Sequence, residues 1–375
     1  MKSERDVIVW RTLPHLEHES AIEMLNVNTN DEDFIELLNQ TQQAIDAGIN
    51  PVLITTGSSG SYFVRDKDGR NIGVFKPKDE EPFAEHNPKW PKYFQRFLCF
   101  CCFGRACLIP KSGFLSEAGA SLVDQRFQLQ IVPKTRIIRM AAPTFFYPKR
   151  LCGSEEIRAK IGSYQVFVHG YKPAIEVAAD WAMDSPKCSL SEDEQRRFLY
   201  LFQKMCVLDY VIRNTDRNND NWLIKYVPGS VLELAAIDHG LAFPVKHPEI
   251  ATRLRPFPFG WTFLPIARKS WDESLRKQLL ELLSPLFVHR LCLDVKKLFI
   301  YGGDNNRFLV ENQMDVMRGQ IWNLRLSLLA KESPADMVKR DLVVVTAKYR
   351  GRPQSNEWDD CFRANPPDYQ GRGCC

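Results

Sequence analysis

Apolar residues recur with helical and strand spacing in the first part of the chain. In residues 31–49 they repeat near every 3.6 positions, after acidic residues in the first turn, which predicts an amphipathic helix. In residues 52–78 β-prone runs flank a Gly/Ser loop and an Asp68-Gly69 turn, which predicts antiparallel strands. A further helix is predicted around 117–126. Strands are predicted in the segments LQIVPK, TRIIRM and YQVFVHG that follow it.

The second half of the chain has a mainly helical pattern. Ser191 and Glu194 have the S-x-x-E spacing of a capping box, and apolar residues continue after them at helical spacing to Val211. Two later helices are predicted over 271–301 and 307–331. A β-rich first half and an α-rich second half predict an α+β fold with two lobes and a cleft between them.

These patterns divide the chain into three predicted regions. Residues 1–30 are polar and weakly patterned, and we expect an N-terminal extension there. One domain is predicted over 31–335, with an N-lobe of about 31–168 and a C-lobe of about 169–335. Residues 336–375 have the composition of a largely flexible tail.

Composition excludes several classes of protein. The 375 residues are 44% hydrophobic and 26% charged, which excludes a wholly disordered or collagen-like chain. A net charge of +4 does not by itself indicate a nucleic-acid partner. No segment has the ~18 consecutive apolar residues of a membrane span, and the N-terminus has no apolar core like that of a signal peptide. Any membrane association is therefore expected to be peripheral.

A Gly/Ser loop and a lysine suggest a phosphate site in the N-lobe. Small residues let backbone N–H groups approach a phosphate closely, although such a loop is more often a simple turn. The loop lacks the GxxxxGK[ST] pattern, which excludes a Walker-type loop. Lys76 lies in the next apolar strand, where it could reach the phosphates or extend to solvent. The loop residues are Thr55, Thr56, Gly57, Ser58, Ser59, Gly60 and Ser61.

The most specific motif lies after the long helix of the second half. Asp216 and Asn221 have the D-x-x-x-x-N spacing of a kinase catalytic loop, in which the carboxylate accepts the proton of the attacking hydroxyl and the amide oxygen binds Mg²⁺. A hairpin predicted around Pro228-Gly229 then delivers Asp238, a second candidate metal ligand. A polar capping turn would explain RNTDRNND alone. The ordered set of loop, lysine, catalytic motif and Asp238 instead indicates phosphoryl transfer.

Long blocks of the chain resemble the type II phosphatidylinositol 4-kinase family. They include GSSGSYFV, VFKPKDEEPF, LSEAGASLVD, LDYVIRNTDRNNDNWLIKY and AAIDHGLAFPVKHP, in order over about residues 31–335. The HRD and DFG motifs of protein kinases are absent. The resemblance implies a two-lobed, protein-kinase-like (phosphoinositide kinase) fold. It also implies transfer of the γ-phosphate of ATP to the inositol 4-hydroxyl of phosphatidylinositol, with Mg²⁺ or Mn²⁺.

Roles for individual residues follow from the same resemblance. Asp216 would be the base, Asn221 and Asp238 would hold the metal, and Lys76 and the Gly/Ser loop would contact the ATP phosphates. The hinge facing adenine would be formed by Gln165, Val166, Phe167 and Val168. The segment near the lipid substrate would comprise Glu81, Pro82 and Phe83.

The sequence alone leaves open which carboxylate pairs with Lys76 and what two departures from the family do. Glu117 and Asp124 are both candidates to form an ion pair with Lys76. Asn218 stands where the family usually has Gly, and His239 stands where it usually has Asn. Neither change removes a required ligand, so we expect an active enzyme.

A basic, aromatic segment suggests how the chain reaches a lipid. No acid occurs in residues 86–116, where Lys and Arg interleave with aromatic residues that favour an anionic membrane surface. Cys99, Cys101 and Cys102 stand where the family has its palmitoylated CCPCC motif, and acylation of two or three would anchor the protein. A zinc site and a buried core loop are the alternatives.

The segment RPFPFGWTFLP is a second candidate for membrane contact. Trp261 is expected to insert into the membrane, and the alternative is a rigid segment packed on its own lobe. Both hold at once if Trp261 alone inserts. The terminal Cys374-Cys375 weakly resembles a prenylation site. By resemblance the protein is peripheral, on the cytosolic face of Golgi, trans-Golgi, endosomal or plasma membranes. Its partners are phosphatidylinositol and an anionic membrane, with no nucleic acid. A protein kinase or an inactive acylated scaffold are the alternatives.

Overall fold

The chain folds into a β-rich N-lobe and a helical C-lobe. The computed structural model describes residues 22–24, 31–57, 59–82, 84, 107–147, 157–182, 190–251, 257–302, 306–348 and 352–366. This arrangement confirms the predicted two-lobed α+β fold. No helix in these ranges is long and apolar enough to cross a membrane.

The N-lobe is built on one antiparallel sheet of six strands. The strands are β1 (Ile22–Met24), β2 (Val52–Leu53), β3 (Tyr62–Arg65), β4 (Asn71–Pro77), β5 (Thr135–Met140) and β6 (Lys160–Val166). Their order across the sheet is β1-β5-β6-β4-β3-β2. The predicted turn between β3 and β4 is present, and Gly69 adopts a φ of 78° there. Strand β1 lies in the predicted N-terminal extension, so this extension adds an edge strand to the sheet.

One predicted strand is wrong. LQIVPK, residues 129–134, has no regular secondary structure. The carboxylate of Asp124 accepts hydrogen bonds from the backbone N–H groups of Ile131 and Val132, at 2.9 and 3.2 Å. A side chain therefore satisfies donors that a neighbouring strand would otherwise have used.

Two helices pack against the N-lobe sheet from different sides. Helix α1 (Glu32–Asp46) confirms the predicted first helix, and its Thr41 hydroxyl lies 2.8 Å from the Tyr164 hydroxyl of β6. Helix α2 (Gly113–Phe127) also belongs to the large core of the C-lobe, where its residues contact Phe299 and other apolar side chains. Gly119 permits this contact, since an added Cβ would lie 2.9 Å from the Phe299 ring.

The C-lobe combines helices with a small sheet. The helices are α3 (Ala174–Ala182), α4 (Glu192–Val211), α5 (Pro248–Ala251), α6 (Glu273–Leu282), α7 (Pro285–Tyr301), α8 (Arg307–Leu329) and α9 (Pro334–Met337). The sheet consists of β7 (Lys172–Pro173), β8 (Trp222–Val227) and β9 (Val231–Ala236).

Local sequence signals explain where these C-lobe elements begin and end. The predicted capping box of Ser191 and Glu194 starts α4. The predicted 271–301 helix is broken in two, because the Ser284 hydroxyl caps α7 and Pro285 occupies its first turn. The hairpin between β8 and β9 turns at Gly229, whose φ is 68°.

Part of the predicted flexible tail is packed against the C-lobe. Strands β10 (Val344–Ala347) and β11 (Phe362–Asn365) form a hairpin, preceded by a short helix, α10 (Trp358–Cys361). Val345 and Phe362 are buried in the C-lobe core, and Trp358 packs edge-on against Trp322 of α8. The prediction of a largely flexible tail is wrong for these residues, because their apolar side chains complete the core around α8.

Candidate active site

Three charged side chains from different elements meet in the cleft. The Lys76 ammonium group, on β4, lies 2.5 Å from Glu117 Oε1 on α2 and 2.9 Å from Asp238 Oδ1. Glu117 is 2% exposed, whereas the Asp238 side chain is 55% exposed. Lys76 is therefore held from behind by a buried carboxylate, and Asp238 faces the open cleft.

The electrostatics of this cluster favour the charged forms of Lys76 and Glu117. Burial lowers the pKa of Lys76, but Asp238 and Glu117 together raise it well above its ordinary value. Burial raises the pKa of Glu117, but the charge of Lys76 and the hydrogen bonds of His239 and Lys76 together lower it below its ordinary value. Asp124 instead accepts backbone N–H groups beyond α2. The structure thus identifies Glu117 as the partner of Lys76.

The Gly/Ser loop leads into β3, the strand paired with β4, and its first residues are exposed. Thr55, Thr56 and Gly57 face solvent, and Gly57 adopts a φ of 80°. The end of the loop is fixed, because the Gly60 N–H donates to the Glu80 carbonyl at 2.9 Å. An added Cβ on Gly60 would lie 2.7 Å from Glu80 Cβ. The loop therefore has an exposed first part, followed by a fixed end that leads into β3.

Two consecutive glutamates after β4 accept hydrogen bonds from different parts of the structure around the cleft. Glu80, which is fully buried, accepts hydrogen bonds from the Tyr62 hydroxyl at 2.5 Å and the Lys160 ammonium group at 2.7 Å. Glu81, predicted to lie near the lipid, accepts from the backbone N–H groups of Gly113 and Phe114. Glu80 therefore supports the Gly/Ser loop and Glu81 caps α2, which carries Glu117.

Burial changes the acidity of Glu81. It raises the pKa of this carboxyl group to about 7, against the lowering effect of the two N–H donors of α2. Pro82 follows it and is half-buried. The proximity of these residues to lipid stays a prediction.

The predicted catalytic loop follows α4 directly. The Asp216 backbone N–H donates to Asn214 Oδ1 at 3.0 Å, and the Asn221 amide donates to the Asp216 carbonyl at 2.7 Å. Asn218, the departure from the family, donates from Nδ2 to Asp216 Oδ1 at 3.1 Å. Asp216 is therefore held by both its backbone and its side chain, and the residue as a whole is half-buried.

Two buried residues of the site were missed by sequence reasoning. Arg217 and Asp209 are 1% and 0% exposed, and Arg217 Nε lies 2.9 Å from Asp209 Oδ2. The Arg217 guanidinium also donates to the carbonyls of Asn221 and Ile237. A carboxylate within the apolar stretch of α4 is the signal that could have identified Asp209.

The loop after β9 begins near a residue with a left-handed backbone conformation. Asp238 adopts a φ of 56°, an uncommon conformation for a residue with a side chain. The next residue, His239, is fully buried, and its backbone N–H donates to Glu117 Oε2 at 3.1 Å. Burial lowers the pKa of His239, so the imidazole is neutral at neutral pH. His239 therefore adds no charge beside Asp238.

The predicted hinge continues from β6 between the lobes. The Gln165 amide donates to the Thr135 hydroxyl at 3.0 Å, and the Phe167 N–H donates to the Ile72 carbonyl. The Phe167 ring packs edge-on against Phe63 of β3, at 5.9 Å between centroids. Val166, Phe167 and Val168 are half-buried, as expected for residues that line a cleft.

The chemistry of the donor set fits Mg²⁺. A carboxylate on Asp238 and an amide on Asn221 supply the hard oxygen ligands that this cation prefers. Among the described residues there is no group of three or more His, Cys, Asp or Glu arranged to hold a metal. Mg²⁺ is usually bound by one or two protein groups together with substrate phosphates.

The prediction that Trp261 inserts into a membrane is wrong. Trp261 is 1% exposed, its indole N–H donates to Asp209 Oδ2 at 3.1 Å, and its ring stacks on Phe259. The segment thus packs against its own lobe. Phe263, two residues later, is 72% exposed.

Several predicted residues lie outside the described part of the chain. Ser58 of the Gly/Ser loop and Phe83 of the lipid-proximal segment are among them, as are Cys374 and Cys375. So are the acylation candidates Cys99, Cys101 and Cys102. Acylation therefore stays a prediction.

Comparison with known proteins identifies relatives of this chain. Residues 57–276 match the family model described as Phosphatidylinositol 3- and 4-kinase. The chain is 42% identical over 359 residues to phosphatidylinositol 4-kinase type 2-beta of Danio rerio, covering 86% of this chain and 70% of that protein. It is 40% identical to phosphatidylinositol 4-kinase type 2-alpha of Danio rerio, covering 90% and 82%.

Solved structures give a weaker likeness. The Golgi casein kinase with Mn/ADP bound has a TM-score of 0.39 and is 17% identical, covering 80% of this chain and 76% of that chain. Neither the site nor the activity is inferred from that likeness.

Proposed function

This chain belongs to the phosphatidylinositol 3- and 4-kinase family, as a relative of the type 2 phosphatidylinositol 4-kinases, and we propose that Asp216 is its catalytic base. The activity is the ATP-dependent phosphorylation of phosphatidylinositol at the inositol 4-hydroxyl. One observation carries the proposal. Lys76, Glu117 and Asp238 meet in the cleft, while Asp216 and Asn221 are held together on the adjoining loop.

Each residue has a distinct part in the reaction. Asp216 accepts the proton of the inositol hydroxyl, and its hydrogen bonds to Asn214 and Asn218 orient it for that step. The Lys76 ammonium group stabilises negative charge on the phosphates, and Glu117 keeps Lys76 extended toward them. Most of the rate enhancement comes from positioning and charge stabilisation.

Asp238 and Asn221 would hold the divalent metal. When bound, Mg²⁺ neutralises the charge of the phosphates and orients them for transfer. The exposed carboxylate of Asp238 faces the cleft beside Lys76. Mn²⁺ has similar ligand preferences and is the second candidate.

The test is a phosphorylation assay with a matched variant. Purified protein is incubated with labelled ATP and phosphatidylinositol vesicles, and the deacylated product is separated by the position of its phosphate. Asp216→Ala should lower kcat by about 10²-fold to 10⁴-fold. Asp193→Ala, which changes an 87% exposed carboxylate at the start of α4, should leave kcat unchanged. Label found only on protein, or equal rates for wild type and Asp216→Ala, would contradict the proposal.

We further propose that the segment after Phe257 contacts the membrane through Phe263. Phe263 is the exposed aromatic residue of the segment, and Arg268 and Lys269 are exposed close by. Cationic side chains attract anionic lipid, and an aromatic ring favours the interface. The buried Trp261 anchors the segment from below. Contact here would place the lipid near the catalytic loop, which touches the same segment at Gly260.

Two equally exposed phenylalanines allow a direct test. Phe263→Ser should lower binding to anionic phosphatidylinositol vesicles by about tenfold, because burying a phenylalanine contributes about 1.5–3 kcal/mol. Phe308→Ser removes a ring that is 70% exposed at the start of α8 and should have no effect. Equal binding by the two variants in a vesicle sedimentation assay would refute contact through Phe263.

A further inference from the structure

A buried carboxylate beneath the catalytic loop collects three hydrogen-bond donors. Asp209, on α4, is fully buried and accepts from Arg217 Nε at 3.0 and 2.9 Å. It also accepts from the Trp261 indole N–H at 3.1 Å and from the Asn214 amide at 3.2 Å. These donors come from the catalytic loop and from the segment after Phe257. Asp209 therefore joins two parts of the site that are distant in sequence.

Arg217 extends this network to both candidate metal ligands. It is 1% exposed, and one terminal nitrogen of its guanidinium donates to the Asn221 carbonyl and, at 2.8 Å, to the Ile237 carbonyl. Ile237 immediately precedes Asp238, and its own N–H donates to the Asn221 carbonyl at 3.1 Å. The backbones beside Asn221 and Asp238 are thus tied to one rigid, planar group.

Trp261 closes the network from the other side. The preceding Gly260 donates its N–H to the Arg217 carbonyl at 2.9 Å, and an added Cβ on Gly260 would lie 2.6 Å from that oxygen. The indole ring stacks on Phe259, with 4.9 Å between centroids. The indole is therefore held in place by packing as well as by its hydrogen bond to Asp209.

We propose that Trp261 and Asp209 are positioning residues, which act through Arg217 to set the spacing of Asn221 and Asp238 for the binding of Mg²⁺ with ATP. A buried carboxylate that loses one of its hydrogen-bond donors is destabilised unless it moves to find another. Loss of the indole N–H leaves the Asp209 carboxylate one donor short, so the carboxylate and Arg217 both relax. The inference rests on the proposed role of Asn221 and Asp238 as metal ligands.

The experiment measures nucleotide binding and uses no lipid. A non-hydrolysable ATP analogue is titrated by calorimetry at a series of Mg²⁺ concentrations. Trp261→Phe keeps an aromatic ring and removes the indole N–H. The Mg²⁺ concentration that gives half-maximal affinity should rise by about threefold to tenfold, and saturating Mg²⁺ should restore most of the affinity.

Trp271 provides a matched control. It is 5% exposed in the same lobe, and its indole N–H donates to the Ser327 hydroxyl at 3.1 Å, away from the catalytic loop. Trp271→Phe should lower thermal stability by a similar amount and leave the Mg²⁺ requirement unchanged. A merely structural role of Trp261 would give the same Mg²⁺ requirement in both variants and the wild type, which would overturn the proposal.

A second variant tests the other end of the network. Arg217→Lys keeps the positive charge beside Asp209 but lacks the planar fork that reaches both carbonyls. It should raise the Mg²⁺ requirement as Trp261→Phe does. An unchanged requirement in Arg217→Lys overturns the proposal even where Trp261→Phe does not fold. Failure of the wild type to phosphorylate lipid refutes the proposed function separately, because the binding experiment contains no lipid.

Discussion

Replacing Glu117 by Gln tests the electrostatic design of the cleft. The change keeps the size of the side chain and an oxygen that can accept from the His239 N–H, but it removes the charge opposite Lys76. Of the two carboxylates of the cluster, Lys76 then keeps Asp238 alone. The ammonium group is drawn toward Asp238, the proposed metal ligand. We expect the nucleotide to lose much of its contact with the ammonium group.

The magnitude follows from the contact that is lost. A hydrogen bond to a charged group contributes about 1.5–3 kcal/mol, and each 1.36 kcal/mol in the transition state changes the rate about tenfold. Glu117→Gln should therefore lower kcat/KM by about 10-fold to 100-fold. The Lys76 side chain is 19% exposed and keeps Asp238 as a partner, so the free energy of unfolding should fall by about 1–3 kcal/mol, the cost of one lost hydrogen-bond partner.

The assay combines phosphatidylinositol phosphorylation with thermal unfolding. Asp124→Asn is the matched control, since Asp124 is also a buried carboxylate of α2 and accepts backbone N–H groups without contacting Lys76. It should lower stability and leave kcat/KM close to that of the wild type. An unchanged kcat/KM in Glu117→Gln, or an equal loss in Asp124→Asn, would refute the role of Glu117.

Two further predictions concern Glu81 and Gly60. Burial raises the pKa of Glu81 from 4.5 to about 7. Between these pH values the folded state binds more protons than the unfolded state, so the free energy of unfolding that Glu81 contributes falls as the pH rises. Glu81→Gln should make unfolding free energy less steeply dependent on pH between about 4.5 and 7; equal slopes would contradict this. Gly60→Ala should raise KM for ATP about tenfold, because its Cβ would meet Glu80 and displace the Gly/Ser loop. Gly319→Ala, which crowds the Val343 carbonyl at α8, should lower stability without changing KM.

Short-range features of this protein were determined by the sequence itself. The capping box of Ser191, the turns at Gly69 and Gly229 and the spacing of Asp216 and Asn221 all depend on residues within a few positions of one another. Local backbone preferences and local hydrogen bonds decide such features, so they can be recognised before the fold is known. The function class followed because these local motifs occur in one order along the chain.

Long-range contacts were decided only by the tertiary structure. Glu117 and Asp124 lie seven residues apart, on nearly the same face of one helix, and only the position of α2 in the fold brings Glu117 rather than Asp124 to Lys76. The segment around Trp261 has the aromatic and basic composition of a membrane anchor, but the indole N–H of Trp261 donates to the buried Asp209 carboxylate on α4. A side chain takes the partner that the assembled core brings within reach, and no local pattern specifies which carboxylate that will be.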